Sequence, residues 1–302
     1  MAEPIQNVCV VGAGFMGSQI AIQCAAFGKA VRQFDVREEA FEVSARACAA
    51  TLDEMIAGGV AAADQRPAIL DRIHRTVSLA EAVAGAELVI EAINEDVAAK
   101  RDVFQQLDRA CSPDTILATN SSSIRISRIE SATVRPDKVL NTHFVHPVWK
   151  HPFVELMRGS TTSDESFTAV QAFMQSIGIL PVLVRRESTG FVFNRIWRAV
   201  KKEALKVVDQ QIATVEDVDR TWMIQWETPM GPFALMDSVG LDVVRDIELV
   251  YYEQSGDPSD APPQVLLDKI AKGELGVKTG QGFYTYPNPS WQAEDFLKQG
   301  WT

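Results

Sequence analysis

Short apolar runs and amphipathic stretches alternate through the first half of the chain. Asn7–Val11 (NVCVV) is almost continuously apolar, as expected of a strand covered on both faces. Met16–Phe27 has helical spacing and stops at Gly28, and Ala30–Asp35 reads as a second strand. The alanine-rich, amphipathic stretch Ala40–Ile56 predicts a helix, as does Val97–Ala110. Glu87–Ile93, Thr115–Thr119 and Lys138–Phe144 are further strand candidates. Strands separated by helices imply βαβ units, hence a doubly wound, mostly parallel sheet in the α/β class. The pattern changes at the charged stretch 185–189. Beyond Gly190 the chain reads almost wholly helical: Phe193, Trp197, Val200, Ala204 and Val207 recur at three- and four-residue spacing. Thr214 with Asp217 resembles a helix-start signal, and Pro232 suits a helix's first turn. The expected organisation is an α/β domain over residues 1–187 and an all-α domain over 188–302.

Composition narrows the function classes. The 302 residues carry 29 Lys+Arg against 40 Asp+Glu, a net charge of −11, which argues against a basic nucleic-acid-binding face. No apolar run reaches the roughly 18 residues that a membrane-spanning helix needs. The N-terminal stretch runs straight into glycines without a basic region before it, and reads as a buried strand, not a signal peptide. Cys9, Cys24, Cys48 and Cys111 lie far apart with no CxxC spacing, so neither a zinc site nor a disulfide framework is expected, and cytoplasmic residence is.

Gly12, Gly14 and Gly17 form G-A-G-F-M-G after the first strand and at the opening of the first helix. Strand before, helix after, and Asp35 closing the next strand meet the three context tests of a Rossmann-type dinucleotide fingerprint. Glycines allow close backbone approach to a pyrophosphate, and the helix start offers unpaired N–H groups. Phe15 and Met16, in the same turn, are counted among the cofactor-binding residues. Asp35 can accept from a ribose diol and repels a 2′-phosphate, which favours NAD over NADP, although Arg37 follows two residues on.

The segment NTHFVHPVWKHPFVELMRG holds His143, His146, His151 and Glu155. Hydride transfer from an alcohol needs a base for the hydroxyl proton, and imidazole titrates in the right range. A carboxylate beside it would orient the ring and stabilise its protonated form. The histidine spacings match no standard zinc pattern, so no metal is expected. His151 and the distant His74 read as hydrogen-bonded structural residues.

Seven stretches in order — VVGAGFMGSQIA, VIEAINEDVAAK, ILATNSSSI, THFVHPV with FVEL, TGFVFNR, MGPFALMDSVGLD and GVKTGQGFYTY — resemble the L-3-hydroxyacyl-CoA dehydrogenase family over nearly the whole chain. The resemblance implies NAD-dependent oxidation of a hydroxyl β to a carbonyl or carboxyl group. It makes His143 the base and Glu155 its supporting acid, with Ser122 and Asn194 holding the substrate oxygen. Glu95 and Lys100 match residues near the cofactor riboses, and Asn120 the nicotinamide end. It further implies a homodimer through the helical domain. The plainer readings are a helix cap for Ser122 and a solvated helix face for Lys100.

The chain departs from that family in two places. His146 stands where the family has asparagine, and imidazole cannot reproduce a carboxamide's donor and acceptor in one geometry. A second titrating group, a substrate contact and a loop-fixing residue are its three readings, and Trp149 beside it makes for a bulkier wall. In the helical stretch after the second strand, no Lys or Arg lies between Arg46 and Arg66, whereas Asp53 and Glu54 add negative charge. Clustered cations suit coenzyme A phosphates, so this weakens the coenzyme A reading and leaves as the alternative a substrate without it, as in relatives that oxidise gulonate, carnitine or a pyridine-ring alcohol. Lys201 and Lys202 could substitute for the missing cations. A non-catalytic NAD-binding or structural protein on the same scaffold is the other alternative, and the joint presence of His143, Glu155, Ser122 and Asn194 argues against it.

Overall fold

The computed structural model describes residues 4–298. The chain divides into two compact units, residues 1–192 and 193–302.

The first unit runs β1 (Asn7–Val11), α1 (Phe15–Ala26), β2 (Ala30–Phe34), α2 (Glu39–Ala57), α3 (Arg66–Asp71), β3 (Ile73–Thr76), α4 (Leu79–Val83), β4 (Leu88–Glu91), α5 (Val97–Ala110), β5 (Ile116–Thr119), β6 (Val139–Phe144), β7 (Phe153–Arg158), α6 (Asp164–Ser176) and β8 (Leu180–Val184). Its eight strands form one sheet in the order β3-β2-β1-β4-β5-β6-β7-β8. Neighbours from β3 through β6 pair in parallel; β7 runs antiparallel to β6, and β8 parallel to β7. The expected doubly wound, mostly parallel sheet is therefore present, with a two-stranded extension at one side.

Both faces of the sheet are covered. One apolar cluster joins Ile20, Ile22, Leu52, Met55 and Phe173 to Val8, Val10, Leu88 and Ile90. The other joins Phe104 and Leu107 to Cys9, Val11, Val89 and Leu117. Alternate residues of β1 feed opposite clusters, which is why VCVV is apolar throughout. Helix α5 starts at Asp96, whose side chain accepts from Ala99 N at 2.8 Å. Its buried face is Lys100, Phe104 and Leu107, spaced i, i+4, i+7. Lys100 thus lies on the covered side of its helix, and the solvated-face reading is excluded.

The second unit contains α7 (Phe193–Asp209), α8 (Val215–Trp226), α9 (Pro232–Val239), α10 (Leu241–Ser255) and α11 (Gln264–Ala271). The helix-start signal at Thr214 is real: its Oγ1 accepts from Asp217 N at 3.1 Å. Pro232 occupies the first turn of α9. Buried Asp219 accepts from Phe233 N (2.8 Å) and Ala234 N (2.9 Å), satisfying the start of α9 from a neighbouring helix. Asp237 in turn accepts from Phe283 N and Tyr284 N, both at 2.9 Å, and so pins the GQGFYTY segment to α9. Among the described residues no helix is long and apolar enough to cross a membrane.

Candidate active site

Strand order reverses between β1 and β4, and open α/β sheets bind ligands beyond the carboxyl ends of the strands at such a point. The glycine turn leaves β1 here. Gly12 has φ +114°, and a Cβ on it would lie 2.7 Å from Ala92 O; one on Gly17 would lie 2.0 Å from Gly12 O. Those two glycines pack the turn against β4 and against α1. A Cβ on Gly14, by contrast, would meet nothing within 4 Å. Packing within the chain therefore does not require a glycine at this position. Helix α1 begins there with no side-chain cap and no acid in its first turn, so its N–H groups and positive dipole end are open to an anion. These features fit a dinucleotide pyrophosphate. Asp35 holds the turn from below: its Oδ2 accepts from Ala13 N (2.9 Å) and its Oδ1 from Arg37 N (3.0 Å). Phe15 is exposed, whereas Met16 packs against the core.

Beyond β4, buried Glu91 accepts from Lys100 Nζ (2.7 Å), Ile93 N (2.7 Å) and Thr119 Oγ1 (2.6 Å). Lys100 Nζ also lies 3.5 Å from Glu95 Oε2. Glu95 accepts from Ser122 N (3.1 Å), Ser123 N (2.8 Å) and both neighbouring serine hydroxyls, so it shapes the loop that carries Ser122. Burial pushes the Glu95 carboxyl up, but those hydrogen bonds and the Lys100 charge outweigh it and hold the group below the ordinary range. The Ser122 side chain itself is exposed. Asn120 Oδ1 accepts from Phe144 N at 2.9 Å, tying the ends of β5 and β6 together. Glu91 and Thr119 were not singled out from the sequence; an acid inside the apolar run LVIE was the available signal.

His143 and Glu155 are directly opposed partners in the antiparallel β6–β7 ladder. Side chains at such positions share a face about 5 Å apart. His143 Nδ1 lies 2.9 Å from Glu155 Oε2, and Glu155 Oε1 accepts from Val192 N at 2.7 Å. Both are covered, at 6% and 1% exposure. Phe191 stacks on the imidazole at 4.8 Å between ring centres and 27° between planes. The pair is therefore clamped by strand register, an aromatic ring and a backbone donor. His146 is exposed; its ring meets Phe15 edge-on at 5.1 Å, and its carbonyl faces His151 Nδ1 at 2.9 Å. Partial desolvation, with a smaller repulsion from His151, holds His146 below the ordinary imidazole range. His74 pairs with Glu81 at 3.0 Å. Asn194 is half-buried in the first turn of α7, in the second unit.

A dinucleotide turn at the switch point, with a histidine–carboxylate pair on the same sheet, defines a nicotinamide-dependent dehydrogenase of the Rossmann class. Residues 7–188 match the 3-hydroxyacyl-CoA dehydrogenase NAD-binding domain, and residues 190–286 match that family's C-terminal domain. The chain belongs to the 3-hydroxyacyl-CoA dehydrogenase family, and it is an NAD-dependent oxidoreductase. It is 36% identical to a protein named 3-hydroxybutyryl-CoA dehydrogenase from Mycobacterium tuberculosis, over 95% of this chain and all of the relative. It is 30% identical to the 5-formyl-3-hydroxy-2-methylpyridine 4-carboxylate 5-dehydrogenase of Mesorhizobium japonicum, over 93% of this chain and 91% of that one. The crystal structure of (S)-3-hydroxybutyryl-CoA dehydrogenase from Ralstonia eutropha superposes with a TM-score of 0.88 at 34% identity, covering 94% of this chain and 100% of the other.

Proposed function

We propose that the protein oxidises the hydroxyl of a 3-hydroxyacyl compound to the 3-oxo product, with His143 as general base. The cross-strand His143–Glu155 pair carries this reading. With Nδ1 engaged by Glu155, Nε2 is the nitrogen left to take the hydroxyl proton. NAD, when bound, accepts the hydride. Gly12, Gly14, Gly17 and the start of α1 hold its pyrophosphate, and Asp35, Glu95 and Lys100 shape the ribose end. Asn120 fixes the strand ends at the nicotinamide end. As the proton moves, Glu155 stabilises the imidazolium, and Ser122 and Asn194 hold the substrate oxygen. In the reverse direction His143 returns the proton. His143→Ala is expected to lower kcat by roughly 10²–10⁴-fold with NADH affinity little changed; turnover at the wild-type rate would refute the assignment.

One observation favours a substrate without coenzyme A. The few cations near α2 are already engaged: Arg46 with Glu42, Arg66 with Asp53 at 2.7 Å, and Lys150 with Glu54 at 3.1 Å. Assaying acetoacetyl-CoA against free 3-hydroxy acids, by NADH absorbance, separates the two readings. We infer a homodimer through the second unit, supported by exposed Ile196, Ile212 and Trp226 at 62–68%; a monomer by light scattering at micromolar concentration would count against it. Cytoplasmic residence is supported by four buried free thiols.

A further inference from the structure

A buried polar chain in the first unit lies against the cofactor turn. Gln33 sits in β2 between β1 and β3 and is fully buried, as is Ser44 on the covered stripe of α2 (Ala40, Ser44, Cys48, Leu52 and Met55). Ser18, on α1, is buried too. Gln33 Nε2 donates to Gly12 O at 3.3 Å, and Ser44 Oγ donates to Gln33 Oε1 at 2.8 Å. Ser18 Oγ lies 2.9 Å from Ser44 Oγ and 2.8 Å from Gly14 O. The chain has a fixed direction. A carbonyl oxygen only accepts, so the Gln33 amide turns its NH₂ to Gly12 and its oxygen to the Ser44 hydroxyl, which leaves Ser44 Oγ to accept from Ser18.

An amide in an inner strand is costly to bury unless it is hydrogen-bonded, and an aliphatic side chain would fill the place without that cost. Both ends of this chain land on carbonyls of the glycine turn, Gly12 O and Gly14 O. The Gly12–Ala13 peptide is also held at its other edge, where Ala13 N donates to Asp35 Oδ2 at 2.9 Å. In a trans peptide the C=O and N–H point opposite ways, so Gln33 and Asp35 grip this plane from both sides. Gly12, at φ +114°, has the backbone freedom to let the plane turn, and these two side chains select one orientation. Carbonyl oxygens repel a pyrophosphate, whereas backbone N–H groups bind it. Tying the two carbonyls to buried donors keeps them off the anion and leaves the start of α1 to present its N–H groups.

We propose that Gln33 is a positioning residue for NAD: with Ser44 orienting its amide, it locks the Gly12 carbonyl inward and so sets the affinity of the turn for the dinucleotide's phosphates. This rests on the reading that the glycine turn holds the pyrophosphate. Ser44 bonds Gln33 and Ser18 rather than the cofactor, so its effect on affinity passes through the chain.

The test is a double-mutant cycle on the full-length protein, with thermal melting to confirm folding. NADH binding is read by fluorescence titration, and adenosine, which has no phosphates, by its competition with NADH. Gln33→Met keeps the side-chain length without the donor and is expected to weaken NADH binding about fivefold, the worth of one buried hydrogen bond, with adenosine affinity within about twofold of wild type. A general loosening of the unit would weaken both ligands alike. Ser44→Ala should weaken NADH about threefold, and the double variant should bind no worse than Gln33→Met alone, because the two act through one chain. Should Gln33→Met not fold, Ser44→Ala, which removes a single hydroxyl, decides by the same comparison of NADH with adenosine. Unchanged NADH affinity, equal losses for NADH and adenosine, or losses that multiply in the double variant overturn the inference. If Gly14→Ala weakens NADH while these variants do not, the turn still holds the pyrophosphate and only the role of Gln33 falls; if Gly14→Ala also has no effect, both fall.

Discussion

Replacing Glu155 with Gln isolates the role of one buried charge. In the native pair, Glu155 Oε2 faces His143 Nδ1 at 2.9 Å and Glu155 Oε1 accepts from Val192 N at 2.7 Å. The carboxylate accepts from both donors at once, whereas a glutamine amide has one oxygen and must turn its NH₂ toward Val192 N–H or toward the imidazole N–H. Leaving one buried donor unpaired costs about 1–3 kcal/mol of stability. The larger effect is on the reaction. When His143 takes the hydroxyl proton it becomes an imidazolium. A carboxylate about 4 Å away between charge centres contributes about 4 kcal/mol at an effective dielectric near 20. Losing that in the transition state corresponds to about 10³ in rate, and the neutral hydrogen bond that glutamine can keep reduces the loss toward about 10². The expected result is a fall in kcat of about 10²–10³-fold, read by NADH absorbance at saturating cofactor, with NADH affinity nearly unchanged. A folded Glu155→Gln protein whose kcat stays within about threefold of wild type would refute the argument that this charge supports proton transfer.

Other outcomes follow from single contacts. Gly14→Ala should leave the melting temperature unchanged, because its Cβ meets nothing in the chain, yet weaken NADH binding by about tenfold or more in a fluorescence titration. Gly17→Ala, whose Cβ would press on Gly12 O, should destabilise the protein itself. Lys100→Ala leaves the buried Glu91 charge without its cation, with only Ile93 N and Thr119 Oγ1 still donating to it, and urea unfolding should show a loss of about 3–5 kcal/mol. Burial raises Asp219 to about 6, against backbone hydrogen bonds that lower it. A carboxyl raised in the folded state binds more protons there than when unfolded, so its contribution is greatest below about pH 4 and declines as pH rises through about 6. Relative to Asp219→Asn, wild-type stability should fall over that window; a constant difference in chemical unfolding would contradict the assignment.

The sequence by itself determined the scaffold and the cofactor turn. Strand β1, helix α5 and the G-A-G-F-M-G turn are local matters: two-faced burial, a 3.6-residue period and backbone without Cβ atoms are written in consecutive residues. Elements whose local signal is weak are not legible in this way. Strand β8 is half-exposed, β3 has four residues, and β7 follows directly on a loop rich in histidine and proline that blurs its start. Packing between distant elements sets the rest. His143 and Glu155 are twelve residues apart, and only the antiparallel register of β7 on β6 sets them opposite each other; a slip of one residue would turn Glu155 to the other face. The same holds for Lys100, whose helix periodicity shows a covered face but cannot supply Glu91 beneath it, and for Lys201 and Glu248, from helices far apart in the chain. Period and propensity act between neighbours in sequence, while the pairing of buried charges is set by which elements pack together.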